Sequence, residues 1–129
     1  MNNSFTTLRN VFAAVRNGEL GVDERDGGTK ATPGDFNVYW KDQDDSPTLD
    51  DEVFVGAPAP VADDVPDEEY DYALLPQVVK DRGWWLSYSG ELIEDVLSNS
   101  LTQKPTASDA ELLKAVEYYA EMDTFLDLT

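Results

Sequence analysis

Residues 84–101 read WWLSYSGELIEDVLSNSL and hold two kinds of secondary structure in direct succession. Trp84 to Tyr88 have the aromatic content of a strand, entered from a turn at Gly83. From Ser89 onward, Leu92 or Ile93, Val96, Leu97 and Leu101 return every three or four residues and outline one apolar face of a helix. Pro105 breaks the chain after it, because proline lacks an amide hydrogen and its ring crowds the preceding turn. Consecutive strand residues point to opposite faces. Trp84 and Trp85 therefore require either that both faces of the sheet are covered or that one ring is exposed for a partner.

Downstream, Ser108 and Glu111 have the spacing of a capping box, in which each side chain satisfies a free amide of the helix start. Leu112, Ala115, Val116 and Tyr119 supply a buried stripe, so a helix is predicted from Asp109 to about Met122. Upstream, Phe36, Val38 and Trp40 alternate with Asn37 and Tyr39, the pattern of a strand with one buried face. Glu52 to Val55 reads as a second strand, and Asp42 to Pro47 as the turn that makes the two a hairpin. Leu8, Val11, Phe12 and Val15 predict a first helix from about Thr6 or Thr7 to Asn17, capped by Ser4 or Thr6 and ended by Gly18.

Between these elements lie two segments expected to be flexible loops. Residues 18–34 hold five glycines and Pro33. Residues 57–71 begin with the extended path favoured by Ala57-Pro58-Ala59-Pro60 and continue into a run of acids. A short helix from roughly Tyr72 to Asp81 follows, with Pro76 limiting it or marking its start. The order helix, strand, strand, helix, strand, helix, helix in 129 residues predicts a single α+β domain, a small, mainly antiparallel sheet packed by about four helices.

Residue types narrow the chemistry. With no histidine and no cysteine, a Ser-His-Asp triad, a Cys-His pair and the common zinc sites are impossible. Gly27-Gly28-Thr29-Lys30 lacks both the leading glycine and the following serine or threonine of a phosphate loop. Asp42, Asp44 and Ser46 alternate as in a calcium loop, but Pro47 and Val53 stand where glycine and a bidentate glutamate are needed. No catalytic residue, metal site or cofactor is therefore assigned, and the chain is expected not to be an enzyme. The Met1 to Ser4 start has no basic region and Val11 to Val15 is too short for a signal peptide, which predicts a cytoplasmic location.

The 27 acids against nine bases, a formal charge of −18, disfavour direct contact with nucleic acid or an anionic membrane and favour a cationic partner. The excess is local: Asp42 to Asp71 hold twelve acids and no lysine or arginine. Within that stretch Asp42, Asp44, Asp45, Asp63, Asp64, Asp67, Glu68, Glu69 and Asp71 are the candidate partner-binding carboxylates. Tyr70 and Tyr72, interleaved with the last of them, are candidate anchors, because tyrosine combines a large apolar body with a polar tip. The same acids read equally as a solvated loop with tyrosines in the core.

From Trp84 onward the sequence resembles small bacterial immunity proteins of contact-dependent growth inhibition and related polymorphic toxin systems. The matching residues are Trp84-Trp85-Leu86, Asp95-Val96, Asn99, Gln103, Pro105, Leu113, Ala115, Tyr118-Tyr119, Asp123 and Phe125, about the last third of the chain. The resemblance implies a cytoplasmic, non-enzymatic protein that binds a basic toxin C-terminal domain, often a nuclease, with oligomeric state unspecified. Two other readings use the same acidity: a nucleic-acid mimic that inhibits a defence protein, and a halophile domain whose carboxylates only solvate it.

Overall fold

The computed structural model describes residues 4–17, 36–42, 44–57, 59, 61 and 63–128. Its element order is β1 (Ser4–Thr7), α1 (Leu8–Arg16), β2 (Asn37–Trp40), β3 (Glu52–Gly56), α2 (Asp67–Ala73), α3 (Gln77–Arg82), β4 (Trp85–Ser89), α4 (Gly90–Gln103) and α5 (Asp109–Met122). The fold is α+β, as the alternation of patterns predicts.

The expected hairpin forms the middle of the sheet. β2 and β3 pair antiparallel with Val38 opposite Val55 and Tyr39 opposite Phe54. β1 joins the outer side of β3 and β4 the outer side of β2, both antiparallel, giving the order β1-β3-β2-β4. The sequence pattern does not predict β1, whose residues read instead as caps of the first helix. Its four residues are half-buried throughout, with no alternation to betray them; pairing with β3 makes them a strand. The helix accordingly starts at Leu8, and its cap is Thr7, whose hydroxyl accepts from the Asn10 amide. Gly18 and the predicted loop at 18–34 lie outside the described residues.

Helices cover both faces. Phe36, Val38, Trp40, Val53, Val55 and Tyr88 pack with Leu8, Val11 and Phe12 of α1, Ile93, Val96 and Leu97 of α4, and Leu112, Ala115 and Val116 of α5. On the other face Tyr39 and Phe54 pack with Leu75 and with Val79 of α3. The expectation of one buried face at β2 is thus corrected: Tyr39 is as buried as Val38, because Leu75 of the α2–α3 connection and Val79 of α3 close the second face. Both tryptophans pack, half-buried, against this second cluster. Strict alternation does not separate them because Trp84 precedes the strand, in a turn where Gly83 has φ 68° and the Trp84 amide donates to the Val79 carbonyl.

The segment between β3 and β4 departs most from expectation. Two helices stand where the pattern predicts one, so the described residues contain five in all rather than about four. Pro76 separates the two helices and occupies the start of the second. Residues 67–71, expected in a flexible loop, are helical, with Asp67, Glu68 and Glu69 in the first turn, where carboxylates complement the helix dipole. The Ala59 amide donates to the Leu74 carbonyl and ties the preceding extended segment to the end of α2.

A close approach fixes the sheet against α4. The Gly90 amide donates to the Phe36 carbonyl at 2.8 Å, and Ser89 caps the helix by accepting from the Leu92 amide. At the start of α5, Ser108 and Glu111 form both halves of the predicted capping box. Arg9 and Arg16 of α1 both reach Asp109, at 3.2 and 3.3 Å, which links the first and last helices.

Candidate partner-binding surface

The acidic stretch is divided by the sheet. Asp42, Asp44 and Asp45 lie in the β2–β3 connection, shaped by short-range bonds: the Asp42 carboxylate accepts from the Asp44 amide and that of Asp45 from the Ser46 amide, each at 2.9 Å. The first of these bonds, from an amide two residues on, is the usual way aspartate stabilises a turn. The Trp40 indole donates to the Asp45 carbonyl and anchors the loop to the core.

In this position the three aspartates meet α5. Together with Glu117 and Glu121 they line an open groove of about 490 Å³, whose floor includes Leu86, Ser87 and Tyr88 of β4. Ser46 bridges the two walls, donating to the Glu117 carboxylate at 3.5 Å. Burial holds the Tyr88 phenol above its ordinary pKa, opposed by a hydrogen bond with Ser46 and reinforced by the nearby charge of Glu117. Five carboxylates thus converge on one concavity from segments about 70 residues apart. Among the described residues no group of three or more His, Cys, Asp or Glu is arranged to hold a metal ion.

Glu117 and Glu121 are not among the sequence candidates. Their signal is the four-residue spacing that places both on one face of α5, but nothing in the sequence links that face to residues 42–46.

Asp63, Asp64, Asp67, Glu68 and Glu69 lie elsewhere, at the turn before α2 and in its first turn, all exposed. Among the described residues none of these five has a side-chain hydrogen bond or ion pair. Asp71 belongs to α2, and its side chain lies outside the described residues. The other acids of the stretch serve the fold: Asp50 pairs with Arg9 at 3.2 Å and Glu52 with Arg82 at 3.5 Å. Asp51 accepts from the Thr48 amide at 2.8 Å, the main cause of its lowered pKa.

The two candidate anchors also separate. Tyr70 is 46% exposed and Tyr72 51% exposed, so neither is a core residue. Tyr72 has a defined setting, with its ring 6.2 Å from that of Trp85 and the Lys80 ammonium 5.2 Å from its centroid. With Asn37, Tyr39, Leu74, Leu75, Trp85 and Leu86 it lines an apolar groove of about 320 Å³ on the face of the sheet opposite α5. Leu86, 50% exposed, borders both this groove and the acidic one.

The residues of the resemblance set out above run from Trp84, just ahead of β4, through β4, α4, the α4–α5 connection at Pro105 and α5 to the C-terminal segment, and several secure that segment. Gln103 donates to the Asn99 side chain and the Leu126 carbonyl and accepts from the Leu128 amide, while the Tyr119 and Phe125 rings lie 4.9 Å apart. No described helix is long and apolar enough to cross a membrane. No curated protein and no solved structure matches the chain. The family model described as domain of unknown function DUF7716 matches residues 30–128, from ahead of β2 through the C-terminal segment, and the chain belongs to that family.

Proposed function

We propose that this chain is a cytoplasmic, non-catalytic immunity protein that binds and neutralises a basic toxin domain, a nuclease being the class its charge best fits. The observation that carries the reading is the groove in which Asp42, Asp44 and Asp45 meet Glu117 and Glu121 beside the exposed Leu86. A nuclease holds its substrate through cationic side chains that neutralise phosphates, and clustered carboxylates compete for the same side chains. The apolar rim at Leu86 and Tyr72 supplies contact area that charge alone does not.

The test is co-purification with the product of the adjacent gene, followed by a nuclease assay on the complex. Loss of nuclease activity in the complex is the expected result. A variant with Asp42→Asn, Asp44→Asn, Glu117→Gln and Glu121→Gln keeps the oxygen acceptors of the turn while removing charge. It should associate roughly tenfold more slowly at low ionic strength, because long-range attraction acts mainly on the encounter rate. An unchanged rate and unchanged salt dependence would sink the assignment of this groove.

A further inference from the structure

Among the described strands, β4 is at one end of the sheet and pairs only with β2. Its five residues, Trp85–Ser89, span about 17 Å at roughly 3.3 Å per residue. The outer edge of such a strand presents backbone donors and acceptors that an extended chain can pair with.

The surroundings of this edge differ on its two sides. Toward α2 lies the apolar groove of Tyr39, Tyr72, Leu75 and Trp85. Toward α5 lies the groove of Asp42, Asp44, Asp45, Glu117 and Glu121. Leu86, on β4 itself, belongs to both. A strand laid beside β4 would send successive side chains alternately to the two sides, because strand side chains have a period of two.

We propose that β4 receives an extended segment of the partner as an added strand, and that this segment alternates basic and apolar residues. The inference rests on reading the chain as a binder of a basic partner, and it specifies how that partner docks. The basic residues enter the five-carboxylate groove, the apolar ones cover Tyr72 and Trp85, and the backbone pairs with Trp85–Ser89. The register of β2 with β4 shifts between Val38 and Tyr39, opposite Tyr88 and Leu86, leaving Ser87 as the extra residue of a bulge. A bulge raises the local twist, so the edge disfavours pairing with flat strands.

The probe is a synthetic heptapeptide of alternating lysine and valine, mixed with the full chain. One control is a peptide of the same composition with the lysines and valines in separate blocks; another is the alternating peptide N-methylated at every second residue. Strand addition predicts slowed amide exchange within Trp85–Ser89, and binding roughly tenfold tighter than either control, since the controls lose the alternation or the backbone hydrogen bonds. Leu86→Asp, at an exposed position and checked for folding by circular dichroism, should weaken the alternating peptide and leave the block peptide unchanged. Equal binding of all three peptides, or no protection at β4, overturns the proposal. Complex formation with the adjacent-gene toxin but no protection at β4 removes strand addition and keeps the immunity reading. Protection by the alternating peptide without any toxin complex keeps strand addition and removes the immunity reading.

Discussion

Gly90 is the residue at which the two halves of the opening stretch meet. A methyl group there would overlap the Phe36 carbonyl oxygen and stand 2.8 Å from two carbons of the Phe36 ring. Both obstacles are buried, so relief requires moving backbone rather than swinging a surface side chain. Gly90→Ala should therefore destabilise the protein by about 1–3 kcal/mol, the range for overpacking a well-filled core, measured as a lower urea midpoint. Gly83→Ala provides a contrast, because a methyl group there would meet no atom within 4 Å and only the left-handed backbone opposes the change. It should cost about 1–2 kcal/mol. Gly83 is legible as a turn, from its place between a helix and a strand. Gly90 is not, since its requirement comes from Phe36, which is distant in sequence and becomes a neighbour only when the sheet forms.

At the scale of elements, α5 shows what a sequence can specify locally. Its cap, stripe and length are all readable because the interactions that define them lie within a few residues of one another. Glu111 is held below its ordinary pKa first by the hydrogen bond from Lys104, at 2.6 Å, and then by the Ser108 amide. A carboxylate with a depressed folded-state pKa stabilises the fold above its unfolded value of about 4.3, and that contribution fades as pH falls through the lower folded value. Glu111→Gln should therefore lower stability at neutral pH and flatten its decline below about pH 4.3, while Ser108→Ala should cost about 1 kcal/mol. Urea midpoints followed from neutral to acid pH check both. α2 and β1 mark the opposite limit. The seven residues of α2 have no extended apolar stripe, and their acids suit a helix start as well as a solvated loop. β1 is a strand only because β3 offers it a pairing edge.

For the whole molecule, the quantity legible in the sequence is charge, and the quantity hidden is its arrangement. The acidic stretch divides into acids that serve the fold, acids on and just before α2, and acids of the groove, which Glu117 and Glu121 of α5 complete. This arrangement gives salt two opposing effects. A formal charge of −18 repels itself in the compact state, and raising ionic strength from about 0.01 to 0.15 M shortens the screening length from about 30 to 8 Å. Stability should therefore rise modestly with salt from a low-salt state that is already folded, because both faces of the sheet are closed by apolar packing. Association with a basic partner should slow over the same range, since the attraction being screened is favourable. The four-site neutralised variant should weaken both dependences together, moving stability and association in opposite directions. Urea midpoints and association rates measured at both ionic strengths decide the matter. A chain that unfolds at low salt would point instead to carboxylates that only solvate the fold.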